Sequence, residues 1–174
     1  MIFLSMKEDM NTLTVHTHRG YKSLFTRQVF QQGDIISELP CSAIHAAATQ
    51  YTVQTGKNRH IEIGNLAYMN HSCHPNVIVN TTRMQVIAAR AIHVGEELTF
   101  FYPSTEWEMV SPFICLCGHP NCIHVVAGAK FLSLSMLEHY YINQHIREMV
   151  MGLLTQTDHF LLPPKNPKQV EIRV

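Results

Sequence analysis

The tightest constraint on this chain is a run of three cysteines, Cys115-Leu-Cys117-Gly-His-Pro-Asn-Cys122, in which a Cys-x-Cys-x4-Cys spacing closes around Gly118. Thiolates brought this close suit a single metal ion, and a closed structural zinc site takes four ligands. The fourth has to be recruited, and Cys73, His71, His74, His119 and His124 are the candidates. Three incidental thiols would show the same spacing. The chain holds five cysteines, an odd and clustered set that suits metal better than disulfides.

With 174 residues, 46% of them hydrophobic, the chain can bury one sizeable core with an appendage. Lys plus Arg (13) equals Asp plus Glu (13) and no run of like charge stands out, so no nucleic-acid partner is expected directly. The start, Met1 to Asp9, has too short an apolar run and acidic residues where a signal peptide needs basic ones. No other stretch reaches membrane-spanning length. These features predict a soluble intracellular protein, cytoplasmic or nuclear, without a membrane partner.

Short β-like runs dominate the first hundred residues. Leu13–Val15, Ser23–Thr26 and Ile35–Ser37 read as an antiparallel meander over residues 12–38. Residues 40–58 read as a short variable insert, with a β-prone Tyr51–Gln54 and a turn at Thr55–Asn58. Strand signals return at Val77–Val79, Met84–Ala88 and Glu97–Tyr102. Beyond the cysteines, Ser135-Met-Leu-Glu138 reads as a capping box opening a helix, with Gly152 as its stop. Ile142, Ile146, Met149, Val150 and Leu153 share one face of that helix, as core or interface packing requires. The tail from Pro163 is rich in proline.

Two further segments carry chemistry-bearing groups. Tyr68-Met-Asn70-His71-Ser72-Cys73-His-Pro75-Asn76 is a polar, turn-rich stretch between apolar ones, suited to ligand contact or to a hydrogen-bonded turn. In Gly95-Glu-Glu-Leu-Thr-Phe-Phe-Tyr102 a glycine turn feeds a strand ending in three aromatics, where Tyr102 would ordinarily be a core tyrosine with one satisfied hydroxyl.

Taken together and in this order, the three segments resemble the SET-domain family of protein lysine methyltransferases with a post-SET zinc motif, over about residues 12–133. Asn70 to Asn76 matches the family's Asn-His-Ser-Cys-x-Pro-Asn signature, Gly95 to Tyr102 its Gly-Glu-Glu-Leu-x-Phe-x-Tyr signature, and Cys115 to Cys122 the post-SET spacing. Thr105-Glu-Trp107 and Gly128-x-Lys130-Phe131 look like a subgroup of small SET proteins.

The resemblance implies a mainly β SET-domain (β-clip) fold: short antiparallel sheets, a pseudoknot threading the Asn70 segment beside the Tyr102 strand, a post-SET zinc site and a C-terminal α-helix. It divides the chain into a SET domain at 12–110, a post-SET zinc segment at 111–133 and a C-terminal helix and tail at 134–174. It selects Cys73 to join Cys115, Cys117 and Cys122 on zinc. It implies S-adenosyl-L-methionine as cofactor, held at Asn70, His71, Lys22, Ser23, Tyr21 and Phe113. Tyr102 is the implied catalytic tyrosine, and Phe100 and Tyr68 line the implied substrate channel. Phenylalanine at 100 leaves room for more than one methyl group. The attacking amine must be neutral, and a free lysine titrates near ~10.4, so an alkaline rate optimum is expected.

The chain departs from the pattern in places. Tyr21-Lys22-Ser23 stands where the family usually has Gly-x-Gly, removing the freedom for close backbone approach to a cofactor. Ala67 replaces a frequent arginine, Phe101 a frequent aspartate, and Ile123-His124 the usual Arg-Gly. The leading expectation is methylation of a lysine in a protein or histone-like peptide. A small-molecule amine is the alternative substrate, a SET-derived non-catalytic binding module the alternative class, and a homodimer through the C-terminal helix the expected assembly.

Overall fold

Turn residues interrupt the chain every few positions, so its strands are short and burial comes from stacking several small sheets. The computed structural model describes the backbone of residues 12–161 and the side chains of residues 12–155. The readings made on Met1 to Asp9 and on the tail from Pro163 lie outside the described residues.

Strands β1 (Leu13–His18) and β2 (Tyr21–Thr26) form a hairpin across Arg19 and Gly20. Both turn residues have positive φ, 49° and 85°, the geometry whose twist matches a two-residue hairpin. The expected meander stops there. Strand β3 (Ile35–Glu38) does not continue beside β2 but joins a sheet of order β3-β9-β8, with β8 at Val77–Asn80 and β9 at Gln85–Ala88. The turn before β3, with Gly33 at φ 91° and the Gln31 amide donating to the Asp34 carboxylate at 2.7 Å, steers the chain away from the hairpin. Ile36 then finds its cover in the core with Val86 and Ala88.

Residues 40–58 are more than an insert. Strands β4 (Ile44–His45), β5 (Thr52–Gly56) and β6 (Arg59–Glu62) make a third sheet, and Val53 and Ile61 belong to the main core. The β-prone run and the turn that follows it fall where the sequence puts them, but alternation of burial along so short a stretch was too weak to reveal the sheet.

Strand β7 (Asn70–His71) runs parallel to β10 (Thr99–Phe100), although the two are far apart in sequence. Asn76, buried at 2% exposure, fastens the loop after β7: its Oδ1 accepts from the Thr99 amide at 2.8 Å and its Nδ2 donates to the Glu97 carbonyl at 2.8 Å. The predicted strand Glu97–Tyr102 is shorter than expected, because Tyr102–Ser104 turns into a 3-10 helix where Pro103 offers no ladder donor.

The three consecutive aromatics at the end of this strand serve three different clusters. Phe100 packs in the main core with Leu24, Met69 and Leu98. Phe101, on the opposite face, packs with Ala129, Leu137, Ile142 and Ile146. Tyr102 lies against both the main core and the cysteine cluster with Val126. Alternation along a strand places residues 100 and 102 on one side and 101 on the other.

The C-terminal part is two helices, α1 (Leu134–Leu137) and α2 (Gln144–Leu161), not one. Ser133 rather than Ser135 caps α1, accepting from the Met136 amide at 3.3 Å, and Glu138 ends it. The break is held by Asn143, fully buried, which accepts from the Thr81 amide and donates to the carbonyls of Val79 and Ser104 at 2.8–2.9 Å. Gly152 lies inside α2 and does not stop it; an interior glycine costs only about 1 kcal/mol relative to alanine. Ile142, Ile146, Met149 and Val150 pack inward as expected, while Leu153 is exposed. Among the described residues no helix is long and apolar enough to cross a membrane.

Candidate active site and metal centre

The sulfurs of Cys73, Cys115, Cys117 and Cys122 lie within 4.8 Å of one another. Cys73 Sγ and Cys115 Sγ are 3.9 Å apart. A zinc–sulfur bond of about 2.3 Å puts tetrahedral sulfurs roughly 3.8 Å apart, so the donor set fits one four-coordinate ion. Backbone amides point at these sulfurs, Ile123 N–H to Cys73 at 3.5 Å and His124 N–H to Cys122 at 3.4 Å, as suits charged thiolates. Gly118 at φ 68° makes the turn that lets the His119 amide hydrogen-bond Cys117, whose thiol is lowered to about 7. Burial pushes Cys73 and Cys115 the other way.

Of the five candidates for fourth ligand, only Cys73 joins this group among the described residues. His74 and His119 stack on each other with ring centroids 4.5 Å apart. His71 sits 3.3 Å from Cys73 Sγ through Nε2, and its Nδ1 accepts from the Tyr102 amide at 3.3 Å. It therefore bridges the cysteine cluster to the cavity beside it.

That cavity, about 500 Å³, is walled by Tyr21, Asn70, His71, Phe100, Tyr102 and Phe113 among the sequence-predicted residues, with the Ala48–Val53 segment opposite. Lys22, Ser23 and Tyr68 stand behind the wall. Ser23 Oγ accepts from Asn70 Nδ2 at 2.8 Å, and Lys22 Nζ donates to Tyr68 Oη at 3.2 Å while lying 4.6 Å from that ring's centre. Asn70 Nδ2 also donates to Glu97 Oε1 at 2.6 Å. Among the described residues no donor reaches Asn70 Oδ1, so the side chain offers an open acceptor.

Tyr102 Oη donates to the Met69 carbonyl at 2.9 Å. Burial, helped by the charges of Glu106 and Glu97, raises the phenol to about 12. It stays protonated at any physiological pH and can orient a nucleophile but not deprotonate one. His71 is held neutral by burial, its imidazole lowered to about 4. Phe113, on β11 (Phe113–Ile114), closes the cavity beside His71 and Tyr102, with ring centres 5.9 and 6.1 Å away. Because β11 pairs with β12 (Val125–Val126) around the cysteines, the cysteine cluster positions this wall.

Sequence reasoning missed Glu106, which also lines the cavity. Its signal was visible: an acid between Thr105 and Trp107 in an otherwise apolar and hydroxylic run.

The parallel β7–β10 pairing, the buried Asn76 strap and the cysteine-closed wall define a SET fold. Residues 21–103 match the SET domain family. The chain is similar to the methyltransferase flvH of Aspergillus flavus, 44% identical over 115 residues that cover 64% of this chain and 65% of that protein. It is also similar to fungal histone-lysine N-methyltransferases described as H3 lysine-36 specific. The one from Aspergillus fumigatus is 42% identical over 72 residues, 37% of this chain and 7% of that protein. The one from Candida albicans is 40% identical over 76 residues, 40% of this chain and 9% of that protein. The chain thus spans less than two thirds of the length of each of these relatives.

Proposed function

We propose that this SET-domain chain is an S-adenosylmethionine-dependent methyltransferase whose acceptor is the side-chain amine of lysine in a protein or peptide. The observation that carries the reading is Tyr102, a protonated phenol fixed on the Met69 carbonyl at the wall of a cavity shared with Asn70, His71, Phe100 and Phe113. A volume of about 500 Å³ suits a small-molecule cofactor site. Tyr21, Asn70, His71 and Phe113 would hold the cofactor, with Lys22 and Ser23 bracing them. The bound cofactor supplies an electrophilic methyl group.

The chain's own residues do the rest. Tyr102 orients the incoming nitrogen, Phe100 shapes its approach with Tyr68 supporting the wall from behind, and the apolar wall excludes water. Cys73, Cys115, Cys117 and Cys122 would hold zinc and so keep Phe113 in place. With a phenyl ring at 100 the channel leaves space for successive methyl transfers.

Support for the protein acceptor comes from the histone-lysine relatives. One observation keeps a small amine open as the acceptor: the match that covers 64% of this chain is to a protein named simply a methyltransferase, against 37–44% for the histone enzymes. The test is incubation of zinc-loaded protein with methyl-labelled S-adenosylmethionine and, in parallel, histone octamers, lysine peptides and small amines. Label on protein lysine, lost in Tyr102→Phe, is the expected result. Label on small amines alone would move the acceptor to the second reading, and no transfer to either would remove the enzyme reading.

A further inference from the structure

The cavity has two polar poles tied to different sheets. One is Asn70, tied to Ser23 of β2. The other is Glu106, whose Oε1 accepts from the Gln54 amide of β5 at 3.0 Å and from the Thr105 hydroxyl at 3.1 Å. Glu106 is 8% exposed and lines the cavity with Tyr102. Among the described residues no donor reaches its Oε2. The one sealed side-chain polar atom without a partner there is His60 Nδ1, so Oε2 keeps access to open space. Leu66, Phe100, Met109, Val110 and Phe113 line the same cavity, and Glu106 is the one acidic side chain among its lining residues, which include no lysine or arginine.

A carboxylate in an apolar cavity is costly unless a cation or strong donors meet it. Two donors meet Oε1, which fixes the carboxyl's orientation. Oε2 is left for whatever enters.

We propose that Glu106 makes this cavity selective for acceptors that arrive as cations, its Oε2 pairing with the ammonium of an alkylamine and discriminating against alcohols and carboxylates of the same size. The assignment rests on the methyltransferase reading for calling the ligand an acceptor, and it names the acceptor class of that same site. No bond forms or breaks in the capture. The ammonium keeps its proton while paired and loses it to solvent before any transfer, so Glu106 governs binding more than turnover. Were Glu106 only a prop for β5, glutamine would serve equally, because an amide oxygen accepts the same two hydrogen bonds.

The experiment compares the zinc-loaded native protein with Glu106→Gln. Binding of n-butylammonium, n-butanol and butyrate is followed by ligand-observed NMR, and binding of S-adenosylhomocysteine by calorimetry. Native protein is expected to prefer butylammonium over butanol by at least tenfold. E106Q should lose that preference and bind S-adenosylhomocysteine within twofold of native. Equal butylammonium binding by both proteins overturns the proposal, as does loss of S-adenosylhomocysteine alone, which would assign the carboxylate to the cofactor. If native protein fails to bind S-adenosylhomocysteine yet shows Glu106-dependent capture of butylammonium, the methyltransferase reading falls and the cation site stands.

Should E106Q not fold, the native protein answers through pH, because butylammonium stays charged from pH 8 to pH 5 while the carboxyl takes up a proton. The other titratable groups near Glu106 are Tyr102 and His71 in the cavity, Glu97 beyond Tyr102, and His145, whose Nε2 lies 2.8 Å from the Thr105 carbonyl, with His60 beside it. The preference over butanol should fall as the carboxyl takes up its proton, and burial holds His60 and His145 below their ordinary range so that they charge later. An unchanged preference at pH 5 overturns the proposal.

Discussion

Phe101 and Tyr140 stack face to face, ring centres 3.6 Å apart and planes 3° from parallel. The same Tyr140 donates through Oη to the Cys73 carbonyl at 3.0 Å. The C-terminal segment therefore holds both the strand that leads into Tyr102 and the loop that carries Cys73. Tyr140→Phe keeps the stack and is expected to cost about 1 kcal/mol for the lost hydrogen bond. Tyr140→Ala removes both and should cost about 2–3 kcal/mol. Urea denaturation of the metal-loaded protein checks both values, and zinc transfer to a chelator should be faster in each variant than in native protein.

The cysteine cluster predicts one zinc per chain and a wall that depends on it. Removing the metal with a strong chelator should speed amide exchange in residues 111–126 and leave Val79, Val86 and Leu98 of the main core protected. Because bound thiols must lose their protons and burial raises those of Cys73 and Cys115, metal affinity should fall as pH is lowered. Hydrogen exchange by mass spectrometry and a metal-competition titration measure the two effects. Uniform loosening of the whole chain would contradict the local role.

Gly128 sits at φ 114°, and a Cβ there would clash with the Trp107 carbonyl oxygen. The close approach lets the amides of Ala129 and Lys130 donate to the carbonyls of Glu106 and Trp107 at 2.9 and 3.1 Å, so the two small-SET motifs are halves of one contact. Gly128→Ala is expected to destabilise by about 3 kcal/mol or more, read from the urea midpoint. A cost below 1 kcal/mol would mean the contact yields easily.

Glu106 titrates ordinarily near 4.5 but near 7 in the folded protein, chiefly through burial. The folded state thus binds the proton more tightly than the unfolded chain. Its contribution to stability is full below about 4.5 and is lost as pH rises toward about 7. Across that window native stability should fall relative to Glu106→Gln by about 3 kcal/mol at most. Denaturation of both proteins at several pH values checks the sign, and a native stability that rises relative to Glu106→Gln between about 4.5 and 7 would contradict it.

Much of the site was legible in the chain because its signals are local. The Cys115–Cys122 spacing, the Asn70–Asn76 signature and the Gly95–Tyr102 strand each set backbone and ligands within a few residues, and the structure brings all three to one place. The first two strands of the expected meander and the strands at Val77 and Gln85 were likewise readable from turn signals and alternation.

What the sequence by itself determined was which segments pair locally and which side chains bear the chemistry, since periodicity, turns and ligand spacing are properties of neighbours along the chain. Only the tertiary structure decided the rest. It placed β3 beside β9 and cut the C-terminal helix at Asn143, whose buried amide bonds Val79, Thr81 and Ser104 from distant strands. It also turned Glu106 from a motif letter into the charged wall of the cavity. Each of these depends on which groups are left without water or a partner once the sheets have stacked, and that is set by contacts between segments far apart in the chain.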